Sequence, residues 1–175
     1  MKSWDVIVIG SGAGGFAAAV TACCKGLSVL MLEKAPQFGG TSAISGGAVW
    51  INDTDQARAQ GKSGTADAIK TYLKTIIGEQ NYRPDIVDAF VASGREALAF
   101  LEKEGAVKYS LRPLSPDYYP DEPGAVDCGR ALEVVEYDGR QLGDRFRDLR
   151  APPPGMLLFG GMMVNRVDIQ HFLDM

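Results

Sequence analysis

The chain has 175 residues, 46% of them hydrophobic and 23% charged, with a formal net charge of −4. That length suits one domain, with enough apolar residues for a core in ordinary soluble proportions. The mildly acidic balance gives no reason to expect nucleic acid or an anionic membrane surface as a partner.

Val6–Ile9 is an unbroken apolar, β-branched run, the pattern of a strand buried on both faces of a parallel sheet. A glycine-rich turn, Gly10–Gly15, follows it. Phe16–Lys25 then predicts a helix with Phe16, Val20, Cys23 and Cys24 on one side, closed by Gly26. Ser28–Leu32 reads as a second apolar strand. Strand, helix and strand within about 30 residues make a βαβ unit with a right-handed crossover.

Ala35–Val49 is a long glycine- and serine-rich loop with little core content, and binding is the usual reason for such a length. Thr65 caps a predicted helix whose apolar residues run at helical spacing to Ile77, and Gly78 ends it. Pro84 suits the first turn of another helix. Its buried face is Ile86, Val87, Phe90, Val91, Leu98 and Leu101, and Gly105 stops it. Beyond that point the pattern weakens. Val107–Leu111 and Ala131–Tyr137 read as strands, Ser110–Gly124 as a proline-bearing loop and Ala151–Gly155 as a stiff connector. Val167–Leu173 reads as the start of a helix.

The chemistry concentrates at Gly10-Ser11-Gly12-Ala13-Gly14-Gly15, a G-x-G-x-x-G run. Alone the pattern is common; between a strand and a helix it becomes a dinucleotide fingerprint. Gly10 permits a tight turn. Gly12 lets a pyrophosphate approach the backbone, and Gly15 allows close helix–strand packing. The helix N-terminus offers unpaired N–H groups and the positive end of its dipole to phosphates. Glu33 ends the second strand, where a carboxylate accepts hydrogen bonds from ribose hydroxyls and repels a 2′-phosphate. These features point to an ADP-containing ligand and leave FAD and NAD equally open.

Glu33-Lys34, followed by Gly39-Gly40-Thr41-Ser42-Ala43-Ile44-Ser45-Gly46-Gly47, resembles the flavoprotein family of fumarate reductases and 3-ketosteroid Δ1-dehydrogenases. The resemblance implies an α/β, Rossmann-like FAD-binding domain with inserted helices. It implies FAD as cofactor, held by Gly10, Ser11, Gly12, Ala13, Gly14, Gly15, Glu33, Lys34, Gly40, Thr41, Ser42, Ser45, Gly46 and Gly47. Pro116-Asp117-Tyr118-Tyr119-Pro120 and Leu158-Phe159-Gly160-Gly161-Met162-Met163-Val164 look like segments of the ketosteroid-dehydrogenase branch. On that likeness Tyr119, or its neighbour Tyr118, corresponds to the family's proton-abstracting tyrosine, in a reaction that delivers a hydride to the flavin. A tyrosine pair packing on prolines explains the same residues without catalysis.

Family members run to several hundred residues. The expectation is therefore that residues 1–175 form the N-terminal portion of an FAD-binding domain, without a substrate domain or the C-terminal segment that returns to it. Three readings stay open: a dehydrogenase of a CH–CH bond next to a ketone, most simply a 3-ketosteroid; a fumarate-reductase-like flavoprotein; and a non-catalytic, truncated nucleotide-binding fragment. The first two need a small-molecule substrate, which for the dehydrogenase is a steroid. An incomplete sheet also predicts exposed apolar surface and self-association.

Other reactive side chains offer less. His171 is the only histidine, with no nucleophile motif around it. Cys23, Cys24 and Cys128 are an odd set, a poor disulfide framework that fits a reducing compartment, and the adjacent Cys23 and Cys24 lack metal-ligand spacing and suit core packing. No metal site is expected. Asp121, Glu122 and Asp127 read as loop charges, and the mixed-sign run Arg140–Arg150 as a solvated face. The run Val6–Ile9 is too short for a signal peptide, and no stretch is long and apolar enough to span a bilayer. A cytoplasmic protein is the expectation.

Overall fold

Two parallel strands, β1 (Val6–Ile9) and β2 (Val29–Leu32), are joined by a helix, α1 (Ala13–Cys24). Val6 lies opposite Val29, and Ile9 opposite Leu32. The structure, a computed structural model, describes residues 2–156, 170, 171, 173 and 174. The motif Leu158–Val164 lies outside the described residues, as do Val167–Ile169 of the expected terminal helix. Gln170, His171 and Leu173 are helical. Among the described residues no helix is long and apolar enough to cross a membrane.

The glycine run sets the first crossover. Gly10 takes a φ of +94°, which L side chains rarely adopt. A Cβ on Gly15 would stand 1.9 Å from the Gly10 carbonyl oxygen. Helix and strand therefore meet only because Gly15 has no side chain. The helix begins at Ala13, three residues before the expected Phe16. Glycine is a poor helix former, which hides this turn in the sequence. Yet Gly12 is the N-cap, and its carbonyl accepts the first intrahelical bond, from Phe16 N–H at 2.9 Å.

In this βαβ start two burial expectations are corrected. β1 is not covered on both sides: Val8 is buried, whereas Ile7 is 58% and Ile9 86% exposed. Helix α1 shields the Val8 face, and among the described residues β1 and β2 form a two-stranded sheet. Nor are Cys23 and Cys24 core residues. Both are exposed, and Ala19 is the buried position of α1. The apolar side of this helix is set by small residues that allow close approach, not by its larger ones.

The loop after β2 is anchored at its start. Phe38 bridges in parallel to Leu149, with Phe38 N–H donating to Asp148 O and Arg150 N–H donating to Phe38 O. Phe16 meets Phe38 edge-on, ring centroids 6.1 Å apart. The Arg140–Arg150 charges around this bridge lie largely at the surface, as expected. These residues belong to one compact unit, Met1–Gly47 with Tyr137–Met175; the other is Ala48–Glu136.

The second unit holds β3 (Val49–Trp50), α2 (Asp55–Ala59), α3 (Ala66–Ile77), α4 (Pro84–Lys103), β4 (Tyr109–Leu111) and β5 (Ala131–Val134). The strands form an antiparallel sheet in the order β3-β5-β4. Thr65 caps α3 by accepting from Ala68 N–H at 3.1 Å, and Gly78 ends it at φ +77°. Pro84 opens α4 and Gly105 follows its end at φ +71°. The bounds of both helices match the sequence expectation, but the expected buried face of α4 is only partly covered. Val87 and Leu98 are buried, whereas Ile86 is 58% and Phe90 38% exposed, because the first turns of α4 have too little packed against them. β3 and α2 had no such signal, being too short for periodicity to declare them.

Leu132 lies at the centre of this sheet, opposite both Val49 and Leu111, and is fully buried with Ala57. Leu98 and Leu111 complete the cluster. Truncating Leu132 to alanine removes buried methyls and leaves a cavity, so Leu132→Ala should cost about 2–5 kcal/mol. Thr65→Ala, which loses only a cap bond, should cost about 1 kcal/mol. Chemical denaturation of both variants checks that order, and equal losses would contradict this placement of the core.

Candidate functional site

The first turn of α1 presents a concave backbone surface. Gly12 sits at a φ of −75°, and a Cβ there would meet nothing nearer than Ser42 Oγ at 4.0 Å. A Cβ on Gly14 would meet no atom of another segment within 4 Å. The first-turn amides have no intrahelical acceptors, and the helix dipole adds positive potential at this end. Ser42 Oγ accepts from Ala13 N–H at 3.0 Å. Gly40, at φ +55°, approaches so closely that its Cβ would lie 3.2 Å from Gly12 Cα. The glycine turn and the Gly39–Gly47 loop therefore meet face to face, through backbone and one hydroxyl.

Beneath this surface lies Ser11, only 1% exposed. Its hydroxyl donates to Glu33 Oε2 at 2.5 Å and accepts from Gly39 N–H at 2.9 Å. Its own N–H donates to the same Glu33 oxygen at 3.0 Å. Glu33 Oε1 accepts from Ala35 N–H at 3.0 Å. Both carboxylate oxygens are thus engaged, using three of about four acceptor sites. The sequence placed Glu33 for a sugar; the structure also has it pinning the glycine turn to the end of β2.

The remaining expected residues are spread along this loop. Lys34 and Thr41 are exposed. Ser45 Oγ donates to Ser42 O and accepts from Gly47 N–H, so that hydroxyl braces its own turn. Gly46 and Gly47 follow directly, Gly47 at φ +68°.

A separate cavity of about 330 Å³ lies in the second unit, with Trp50, Tyr72, Arg112, Tyr118 and Tyr119 among its walls. Tyr118 is 97% and Tyr119 58% exposed. Tyr119 N–H donates to the hydroxyl of the buried Tyr72 at 3.2 Å. Behind the tyrosines stand two residues without a role in the sequence reading, Asp117 and Arg130. Their side chains are almost wholly buried and pair at 2.6 Å. Asp117 also accepts from Trp50 Nε1 at 2.8 Å. The only hint in the sequence was a charged residue, Arg130, directly before the segment that becomes β5.

The Glu33 carboxyl is held down at about 2, from an ordinary 4.5, chiefly by the Ser11 hydroxyl and then by the Ala35 and Ser11 amides. A folded value below the unfolded one stabilises fully above the unfolded value and is lost as pH falls through the folded one. The bracing of the glycine turn should therefore persist above pH 4.5 and fade as pH drops towards 2. Amide exchange protection at Ser11 and Ala35, corrected for intrinsic rates, checks this. Protection that survives unchanged to pH 2, or in Glu33→Gln, would mean the carboxylate does not hold the turn.

A family model for an FAD binding domain matches residues 5–172. The 3-oxosteroid 1-dehydrogenase of Mycobacterium tuberculosis is 41% identical over 143 residues, covering 82% of this chain and 25% of its own. The 4-oxocyclohexanecarboxylate 2-dehydrogenase of Sinomonas cyclohexanicum is 44% identical over 157 residues, 86% of this chain and 27% of its own. The crystal structure of 3-ketosteroid Δ1-dehydrogenase from Sterolibacterium denitrificans, in complex with 1,4-androstadiene-3,17-dione, superposes with a TM-score of 0.86 at 37% identity. That match covers 99% of this chain and 30% of the other. More distant is an NADH:fumarate oxidoreductase of Klebsiella pneumoniae, 33% identical over 59% of this chain and 11% of its own. The chain thus spans between a quarter and about a third of the length of the dehydrogenases it matches. With a glycine turn, an acidic strand end and a facing glycine–serine loop all present, the chain belongs to the FAD binding domain family, and its cofactor is FAD.

Proposed function

We propose that this chain is the flavin-binding, N-terminal portion of an oxidoreductase that dehydrogenates a carbon–carbon bond next to a ring ketone, with a 3-ketosteroid as substrate. The observation that carries the reading is Tyr119, partly exposed at the wall of an apolar cavity with its amide tied to a buried phenol. The identity to 3-oxosteroid 1-dehydrogenases supports it. The relative acting on an oxocyclohexanecarboxylate supports a second substrate class, a single-ring keto acid. Both reactions remove hydrogen beside a ring ketone. The fumarate-reductase-like reading has weaker support, since that relative covers less of the chain.

The residues of the first unit fit the cofactor. The amides of Gly12, Ala13, Gly14 and Gly15 would face the diphosphate, with Gly10 setting the turn. Ser42 would exchange its bond to Ala13 N–H for a phosphate oxygen. Glu33 would accept from the ribose at its remaining acceptor site while keeping its bonds from Ser11 and Ala35. Lys34, Gly40, Thr41, Ser45, Gly46 and Gly47 would line the rest of the groove. Bound FAD supplies the hydride acceptor. Tyr119, as its anion, would remove the proton from the adjacent carbon, with Tyr118 the alternative base; the two electrons left behind form the new double bond. The cavity's apolar wall would keep water from the reacting carbons.

The exposed residues Ile7, Ile9 and Leu32 on the sheet support self-association of the chain when studied alone. Size-exclusion chromatography tests that, and a compact monomer would count against it. The cysteine pattern supports a reducing, cytoplasmic location.

Gly12→Ala separates binding from folding. The fold has room for the methyl, so stability should change by about 0.5 kcal/mol or less. Retained FAD, read from the visible flavin absorbance after purification, should fall about tenfold or more because the backbone approach is blocked. Undiminished flavin would place the diphosphate elsewhere. In a flavin-loaded, ketosteroid-active protein, Tyr119→Phe should lower kcat by about 10²–10⁴-fold. Wild-type turnover in that variant would remove Tyr119 as the base.

A further inference from the structure

We infer that Arg130 is a positioning residue: its buried guanidinium fixes the segment that carries Tyr118 and Tyr119 against the cavity wall. The inference rests on the proposed role of those tyrosines.

The guanidinium reaches both arms of the loop that leads to and from the tyrosines. Nη1 donates to Asp117 Oδ2 at 2.6 Å, on the arm just before Tyr118. Nη2 donates to Gly124 O at 2.8 Å, on the returning arm. Nε donates to Asn52 Oδ1 at 3.3 Å, just after β3. Asp117 in turn closes the loop on itself. Its Oδ2 accepts from Val126 N–H at 3.1 Å, and its N–H donates to Val126 O at 3.0 Å. The returning arm is pressed on α3, where a Cβ on Gly124 would stand 2.2 Å from Ala68 O.

The same cation lies over two of the cavity's aromatic walls, 5.4 Å from the Trp50 ring centre and 5.5 Å from that of Tyr72. Trp50 Nε1 donates to the other Asp117 oxygen, and the Tyr72 hydroxyl accepts from Tyr119 N–H. Among the described residues, the side-chain partners of Arg130 are therefore the tyrosine loop, a wall residue that touches it, or the Asn52 brace. The backbone is fixed as well, with Ile51 N–H donating to Arg130 O at 2.8 Å beside the sheet.

A buried ion pair is a poor source of stability, because its attraction is offset by the loss of hydration, and an apolar replacement is often as stable. What an apolar side chain lacks is direction. The guanidinium is a rigid planar fork, and here each of its three nitrogens makes a bond to a different segment. A lysine ammonium is compact and reaches no such set. The arrangement suits a loop whose phenol must be held to a fraction of an ångström.

The test uses the FAD-loaded holoprotein and two readouts, amide hydrogen exchange and steady-state kinetics on a 3-ketosteroid. Arg130→Lys and Arg130→Met should retain flavin absorbance. Exchange protection at Tyr119 and Val126 should fall about tenfold while that of β4 and β5 holds. kcat should fall roughly 10- to 100-fold, with KM changing less. Tyr72→Phe, which deletes one bond, should speed exchange at Tyr119 alone and lower kcat by a smaller factor. Folded Arg130 variants with wild-type kcat would overturn the inference. So would protection lost equally across loop and strands, the mark of a merely structural role. Should both Arg130 variants fail to fold, Tyr72→Phe decides: unchanged Tyr119 exchange and kcat overturn it. If the unsubstituted protein turns over no ketosteroid, the proposed function fails, while the exchange pattern still decides whether Arg130 holds the loop.

Discussion

One buried hydroxyl ties the nucleotide-binding unit together. Ser11 bonds the carboxylate of Glu33 at the end of β2 and the amide of Gly39 at the start of the facing loop. Without it, the buried Gly39 amide and the Glu33 carboxylate would each lose a partner. The cost of leaving such groups unpaired couples the three segments. It also gives Glu33 two duties, a brace for the turn and an acceptor for the ribose. The depressed pKa keeps the carboxylate ionised for both.

The second unit solves a similar problem at a larger scale. Its apolar centre is small, Ala57, Leu98, Leu111 and Leu132, and beside it runs a polar network of Arg130, Asp117, Asn52, Trp50 and Tyr72. Trp50 serves both, as a β3 residue and as a donor to Asp117, and its ring stacks on Phe90 of α4 at 6.4 Å. Two aromatic residues thus link sheet, helices and the loop bearing the exposed tyrosines. A short strand can have such weight because side-chain chemistry, not length, fixes its place.

Where expectation and structure part, burial is the reason. β1 has the composition of a strand covered on both faces, yet covering depends on the layers packed against it, and composition reports only what the strand would tolerate. Cys23 and Cys24 have the right polarity for a core, but the close approach of α1 to β1 at Gly15 turns the alanine side inward. Helical spacing alone leaves that choice open when small and large apolar residues ring the whole helix.

From its sequence alone the chain declares the βαβ start, the two long capped helices, the glycine turn and Glu33 as parts of one dinucleotide fingerprint. All of these are local. A positive φ, a cap bond or a helical period involves residues within one turn or one crossover, so neighbouring letters carry the information. Only the tertiary structure decided that Ser11 would bridge Glu33 and Gly39, that Phe38 would pair with Leu149, and that Arg130 would reach Asp117, Gly124 and Asn52. Partners for buried polar groups are selected by proximity in a medium that punishes any unmet bond, and that proximity exists only after distant segments have packed.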